Sequence, residues 1–178
     1  MVDIHQMQVI YDPAADRLLW QVRTRAGEII AVWLTRRMVS RLWPPFLKLV
    51  TQSAVAQVTP DATALPEARE MLAQAARDRP LPSADFTTRF DATPTAQPLG
   101  AAPLLATAVD MAPGVNARGV AIRIREPSGR SVELMLSDDL ATALMRLIEK
   151  ALGASEWGLA AAPEPPTDPA LQPPALLN

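Results

Sequence analysis

A pattern that occurs twice constrains the fold of this chain more than any single motif. Residues 18–52 match residues 120–154 at a constant offset of 102 positions. In each copy, apolar residues alternate with other residues on both sides of a glycine, Gly27 or Gly129, and an amphipathic segment follows. Alternation with a period of two predicts strands, and a glycine between two such segments predicts a hairpin turn. The chain therefore contains a strand hairpin followed by a helix twice, and no catalytic signature accompanies this pattern.

The two predicted helices begin after equivalent polar residues. Thr35 precedes the first helix and Ser137 the second, and a hydroxyl side chain at this place caps free amides of the first helical turn. The first helix contains Pro44 and Pro45, which lack amide hydrogens and clash with the preceding turn. We expect a kink or two short helices there. Gly153 predicts the end of the second helix.

The remaining segments complete an α+β fold. Four further elements are predicted, namely a strand at 7–11, a helix at 66–77 and strands at 86–90 and 105–111. Together with the two hairpins and their helices, these elements predict an antiparallel β-sandwich or sheet of about seven strands, with a mid-chain helix pair and a C-terminal helix. Residues 1–158 are predicted to form one globular domain. Residues 159–178 are rich in proline and nearly uncharged, which predicts a disordered tail or, alternatively, a short peptide ligand.

Composition narrows the chemistry that this chain can perform. It has no cysteine, so disulfides, thiolate metal sites and cysteine nucleophiles are impossible. His5 is the sole histidine, and a catalytic triad or a histidine-based metal site would depend on it alone. Asp138 and Asp139 are adjacent at a helix start, where the helix dipole favours negative charge. We therefore predict no catalytic residue, no cofactor and no metal site, with an enzyme whose site is assembled across the sequence as the alternative.

Charge and hydropathy bear on partners and location. The formal net charge of −2 gives no overall attraction to nucleic acid or to anionic lipid. No apolar run is long enough to span a bilayer, and the start lacks the basic and apolar segments of an export signal. Together with the absence of cysteine, this predicts a cytoplasmic protein. Lysine occurs only at Lys48 and Lys150 and arginine supplies the other positive charges, a bias typical of a GC-rich bacterial genome.

Differences between the two copies single out candidate interaction residues. Arg36 and Arg37 occupy the positions of Asp138 and Asp139, and they place positive charge where the helix dipole disfavours it. We interpret the arginines either as the product of drift or as partners of a carboxylate in this chain or in a second one. With Arg41 and Arg23 they could also form a small basic patch.

A second difference concerns the strand face opposite the predicted core. Trp33 in the first copy corresponds to Met135 in the second, and both point away from the core side of their strands. If nothing within the chain covers that face, it is an interaction surface. The candidate interaction residues are thus Trp33, Arg36, Arg37, Arg41, Met135, Asp138 and Asp139.

The order of the predicted elements resembles a known superfamily of head domains. The similarity is carried by residues 30–35 leading into the first helix, residues 70–79 leading into 84–90, and residues 132–148. This order is similar to the globular heads of the superfamily that contains the X-ray-repair scaffold protein of DNA end joining and the centriolar cartwheel assembly protein. The resemblance implies a non-enzymatic scaffold that acts through surfaces of the head. In that family the last helix extends into a dimerising stalk, whereas Gly153 and the proline-rich segment end it here.

The sequence as a whole favours a structural or protein–protein interaction module. The expected partner is another protein or a second copy of this chain in a homodimer. A nucleic-acid or anion-binding adaptor is the first alternative, which the net charge disfavours, and an enzyme is the second.

Overall fold

The structure is a computed structural model, and it describes residues 2–58, 71, 74–75, 80–81 and 88–159. Within these residues the chain forms seven strands and two long helices. Their order is β1 Ile4–Asp12, β2 Arg17–Thr24, β3 Ile29–Thr35, α1 Arg36–Val58, β4 Leu104–Leu105, β5 Ala108–Pro113, a 3-10 turn Val115–Ala117, β6 Val120–Arg125, β7 Ser131–Leu136 and α2 Asp138–Gly153.

The strands lie in two sheets. The first has the order β1-β2-β3-β4 and the second the order β5-β6-β7. Neighbouring strands are antiparallel, except that β4 runs parallel to β3. The predicted α+β class with about seven strands is therefore confirmed, while the strands form two sheets and one strand pair departs from the antiparallel pattern.

The offset of 102 holds in the pairing register of the two hairpins. Leu18 lies opposite Leu34 in the first sheet, and Val120 lies opposite Leu136 in the second. The turns are equivalent too, because the Gly27 amide donates to the Thr24 carbonyl and the Gly129 amide donates to the Glu126 carbonyl. Both glycines have positive φ, +81° and +91°, which a residue with a Cβ rarely adopts.

The repeat is longer than the sequence pattern indicated. Met7 of β1 lies opposite Val22, and Val109 of β5 lies opposite Ile124, so the first strands also obey the offset of 102. We call β1, β2, β3 and α1 the first unit, and β5, β6, β7 and α2 the second unit. The short strand β4 lies outside the repeat.

The predicted helix caps are confirmed. The Met38 amide donates to Oγ1 of Thr35 at 3.2 Å, and the Leu140 amide donates to Oγ of Ser137 at 3.3 Å. These are equivalent bonds at equivalent positions, and each satisfies an amide that the first helical turn leaves unpaired. Helix α2 ends at Gly153, as predicted.

The two units share one core because each helix packs against strands of the other unit. Helix α1 contacts β5 and β6, and helix α2 contacts β1. A small void of about 20 Å³ lies at the centre of this core, lined by both sheets and both helices. Its lining residues are Trp20, Leu34, Leu42, Phe46, Val109, Met111, Ile122, Ile124, Leu144 and Ile148. Neither unit could bury its apolar face without the other.

Helix α1 continues through Pro44 and Pro45, so the expectation of two short helices is wrong. Both prolines are exposed, while the flanking Trp43 and Phe46 are buried in the core. The helix is therefore held on both sides of the prolines by packing. The carbonyls that lose their amide partners belong to residues 40 and 41, which are exposed and accessible to water.

The predicted strand at 105–111 is in fact two strands in different sheets. The Ala106 amide donates to the carbonyl of Trp33 in the first sheet, and the Thr107 amide donates to the carbonyl of Arg125 in the second. The chain changes sheet between these two residues. An apolar run shows that a segment is buried but does not show which sheet it joins.

Two other predicted elements fall largely outside the described residues. Of the helix at 66–77, the structure describes Met71, Gln74 and Ala75, which are helical. Of the strand at 86–90, it describes residues 88–90, which belong to no strand. The predicted tail at 159–178 lies outside the described residues apart from Leu159.

Candidate functional site

The outward face of the first sheet carries an apolar row that crosses all four strands. Ile10 lies opposite Leu19, Leu19 opposite Trp33, and Trp33 opposite Leu105. The side chain of Ile10 is 45 % exposed, and the other three are half-buried. We call these four residues the apolar row.

Polar and charged residues border the apolar row on both sides. One neighbouring row contains Gln8 and Gln21, whose side-chain amides bond to each other at 2.6 Å. The other contains Asp12 opposite Arg17. An apolar centre with a polar border is the usual composition of a protein–protein contact surface.

The second sheet offers an internal comparison because its outward face has the same register. The positions equivalent to Ile10, Leu19 and Trp33 hold Ala112, Ala121 and Met135. We call the latter three the matched row. Two of its three side chains end at Cβ, so this face presents far less apolar surface than the first.

The row next to the matched row is charged. Asp110 lies opposite Arg123, and Arg123 opposite Glu133. The equivalent row of the first sheet contains Gln8, Gln21 and Ala31. The outward face of the second sheet is therefore that of a solvated surface, whereas the first sheet exposes bulky apolar side chains at the same backbone positions.

Trp157, which follows α2, docks onto the first unit. It is 5 % exposed, and its indole Nε1 donates to Oδ1 of Asp16 at 2.6 Å. The ring meets Tyr11 edge to face, with 5.6 Å between centroids, and the Tyr11 hydroxyl donates to the same oxygen of Asp16 at 2.9 Å. Arg36 completes the cluster by donating to the Trp157 carbonyl at 3.3 Å. We call Tyr11, Asp16, Arg36 and Trp157 the tryptophan clamp.

The electrostatics of the tryptophan clamp follow from these bonds. The indole and phenol donors, together with the nearby positive charge of Arg36, lower the pKa of Asp16 below its ordinary value. The bond to the Asp16 carboxylate raises the pKa of Tyr11, because it is lost when the phenol ionises. Arg36 thus has an intramolecular role.

The other two arginines of α1 point to solvent. Arg37 and Arg41 are exposed, and within the described part of the chain neither forms an ion pair. Helix α1 contains no acidic residue, and Lys48 is a further exposed cation on it. The exposed face of α1 is therefore basic, and it is separate from the apolar row on the first sheet.

Asp138 is used inside the protein. Its Oδ1 accepts the Gly119 amide at 2.6 Å and the hydroxyl of Ser53, a residue of α1 that is 4 % exposed. The Gly119 amide also bonds to Oγ of Ser53 at 2.9 Å. This network links α1 to the second unit. Asp139 is half-buried and also has an interaction partner.

Met135 faces an open cleft of about 630 Å³ that no sequence pattern indicated. The cleft lies between the β2–β3 turn and β7, and its lining includes Asp3, Glu28 and Glu133. Asp3 pairs with Arg25 at 3.2 Å, while the Glu133 carboxylate lies 3.8 Å from the Arg123 guanidinium. Among the described residues, no group of three histidine, cysteine, aspartate or glutamate side chains is arranged to hold a metal ion.

The structure does not bring the predicted interaction residues into one surface. Trp33 lies in the apolar row, Met135 lies on the other sheet beside the cleft, and Arg36 belongs to the tryptophan clamp. Sequence reasoning missed the companions of Trp33 in the apolar row, namely Ile10, Leu19 and Leu105. A signal existed for the first two, because both are apolar residues on the polar phase of an alternating strand.

Comparisons with known proteins found no relative of this chain. No protein-family model, no curated protein and no solved structure matches this chain. In the part of the chain that is described, no helix combines the length and the apolar character needed to cross a bilayer.

Proposed function

We propose that this protein is a non-enzymatic protein–protein interaction module and that the apolar row is its contact surface. One observation carries the proposal. Two sheets with the same register and the same turn differ on their outward faces, because the first presents Ile10, Leu19 and Trp33 where the second presents Ala112, Ala121 and Met135. The register that the two sheets share does not by itself require this difference, because the matched row adopts it with less apolar surface.

The energetic argument favours a buried role for the apolar row. Exposed apolar surface is unfavourable in water by about 25 cal/mol per Å² relative to burial. A tryptophan and three branched aliphatic side chains in one continuous line form a patch of the kind that marks a contact site, whereas scattered apolar residues do not. Tryptophan in addition is among the residues that contribute most to binding at interfaces.

The proposal extends to the type of module. The resemblance of the element order to the head domains of the end-joining and cartwheel scaffold superfamily is in keeping with a scaffold that acts through a sheet surface. We propose that this chain is a bacterial, cytoplasmic relative of those heads, with its contact surface on the first sheet.

Site-specific photo-crosslinking tests the proposal. A photoreactive amino acid is introduced at Ile10 in one variant and at the equivalent Ala112 in a second, in the cells that naturally make the protein. We expect discrete protein adducts from position 10 and none from position 112, and mass spectrometry identifies the adducts. No adduct at position 10, or the same adducts at both positions, would refute the proposal.

A second candidate function is anion binding by α1. The observation that favours it is the exposed basic face of this helix, where Arg37 and Arg41 have no ion-pair partner among the described residues. Binding to a polyanion would weaken steeply with salt, because each neutralised phosphate releases counterions. Binding of single-stranded and double-stranded oligonucleotides at two salt concentrations, for the natural chain and for Arg37→Ala with Arg41→Ala, tests this candidate.

A further inference from the structure

We infer that the apolar row is covered by a second copy of this chain, which packs face to face on the first sheet about a twofold axis. This inference rests on the proposed function, since it names the partner of the same surface. It places the homodimer contact on the first sheet and not at the end of the last helix.

Charge is the first argument for a second copy. A twofold contact places each surface against itself, so the surface must not repel its own image. The centre of this face is uncharged, because the apolar row and the adjoining row of Gln8, Gln21 and Ala31 contain no ionised group.

The ends of the face are also balanced in charge. Asp12 and Arg17 lie opposite each other at one end, and Arg23 at the other end is neutralised by Asp91 at 3.1 Å. A strongly acidic or basic partner would find no complement here. The second sheet differs, because the charges of Asp110, Arg123 and Glu133 lie in the middle of its outward face.

Geometry is the second argument. Two sheets pack face to face when their inner faces carry interdigitating apolar side chains, with strand directions within about 30° of each other. The apolar row extends across the full width of the sheet and includes Leu105 of β4, so it offers one apolar side chain from every strand. The flanking glutamine amides can bond to each other across a twofold axis as well as within one chain.

The available area indicates the size class of the contact. Strands β1, β2 and β3, spaced about 4.8 Å apart, carry four outward side-chain rows spaced about 6.8 Å apart, and β4 adds one residue, which gives a face of about 420 Å². Two such faces bury about 850 Å² in total, which is in the range of weak, transient interfaces. We therefore expect a weak dimer that is in reversible equilibrium with the monomer.

Sedimentation velocity on the full chain, from about 1 µM to about 500 µM, tests the inference. We expect the natural chain to shift from monomer to dimer over this range. Ile10→Glu should raise the dissociation constant at least tenfold, because it would bury two carboxylates in the contact. Ala112→Glu, at the equivalent position of the second sheet, should leave the dissociation constant within twofold of the natural value. Circular dichroism checks that each variant is folded. If Ile10→Glu does not fold, Ile10→Ser is used in its place.

Each other outcome overturns the inference. A natural chain that stays monomeric at about 500 µM excludes a second copy as the occupant of the apolar row. A dimer that survives Ile10→Glu, or that Ala112→Glu weakens equally, uses another surface. These failures are distinguishable from failure of the proposed function, because photo-crosslinking from position 10 to a different protein would leave the interaction module intact while removing the homodimer.

Discussion

Replacement of Asp138 tests whether this residue holds the two units together. Its carboxylate accepts the Gly119 amide and the Ser53 hydroxyl. A hydrogen bond to a charged group contributes about 1.5–3 kcal/mol, and the two bonds share one oxygen and are not additive. The Gly119 amide keeps its bond to Ser53 in the variant. We therefore expect Asp138→Ala to lower the free energy of unfolding by about 2–4 kcal/mol.

Two further variants separate the charge from the hydrogen bonds at this position. Asp138→Asn keeps an acceptor oxygen but loses the negative charge at the helix start, so we expect a loss of about 1 kcal/mol. Asp110→Ala removes a carboxylate that is 61 % exposed and pairs with Arg125 at 2.7 Å. An exposed ion pair contributes about 0–1 kcal/mol, which makes this variant the matched control.

Urea denaturation monitored by far-ultraviolet circular dichroism measures these differences. A domain of this size has a total stability of about 5–15 kcal/mol, so a loss of 2–4 kcal/mol moves the midpoint clearly. If Asp138→Ala costs no more than Asp110→Ala, the network does not stabilise the fold. A double-mutant cycle with Ser53→Ala should then also show no coupling, whereas we expect a coupling of about 0.5–3 kcal/mol.

Three further predictions concern the turns, the clamp and the core. In Gly129→Ala the added Cβ meets no atom within 4 Å, so the positive φ alone should lower the free energy of unfolding by about 1 kcal/mol. In Gly27→Ala the added Cβ also meets the Thr95 side chain at 2.8 Å, which should lower the free energy of unfolding by about 1 kcal/mol more. Equal losses in urea denaturation would contradict this. A carboxyl with a lowered folded-state pKa stabilises the fold above its unfolded-state pKa, and this stabilisation is lost as the pH falls through the lowered value. The free energy of unfolding of Asp16→Asn should therefore fall less below about pH 4 than that of the natural chain, and parallel curves would show that Asp16 does not titrate in this way. Among the described residues, the indole nitrogen of Trp20 is the one buried side-chain nitrogen or oxygen without a hydrogen-bond partner. Trp20→Phe removes this unpaired donor and leaves a small cavity, so it should change the free energy of unfolding by less than about 1.5 kcal/mol. A loss of about 3 kcal/mol or more would contradict this reasoning.

The sequence predicts the local structure of this fold well and its assembly less well. The hairpin turns at Gly27 and Gly129 and the caps at Thr35 and Ser137 follow from residue chemistry within a few positions, and the structure contains all four. The exchange of helices between the units could not be predicted, because an amphipathic pattern shows that a helix face is buried without showing which sheet buries it.

The candidate surface illustrates the same limit. Trp33 could be recognised from the sequence because it stands on the outer phase of its strand. The apolar row could not, because it depends on the lateral register of four strands and on Leu105, which reaches β3 through a parallel pairing from far along the chain. Register between distant strands is set by packing and not by any local signal.

The opposite charges at the starts of the two helices have a structural explanation that the sequence did not reveal. Arg36 meets the carbonyl of Trp157 and lies near the carboxylate of Asp16, whereas Asp138 meets an amide and a hydroxyl. Each residue reaches beyond its own unit, and the sign of its charge suits what it contacts. Drift is therefore not needed to explain this difference.

Among the residues that the structure describes, the remaining differences between the units have no such internal explanation. Ile10, Leu19 and Trp33 contact solvent where their counterparts are smaller, and the exposed Arg37 has no ion-pair partner among the described residues. A fold that contains a similar unit twice provides its own reference, since the second unit shows which side chains the shared register accepts at each position. What the first unit adds beyond those side chains lies on the outward face of its sheet and along the exposed side of α1, and these are the surfaces on which function should be sought.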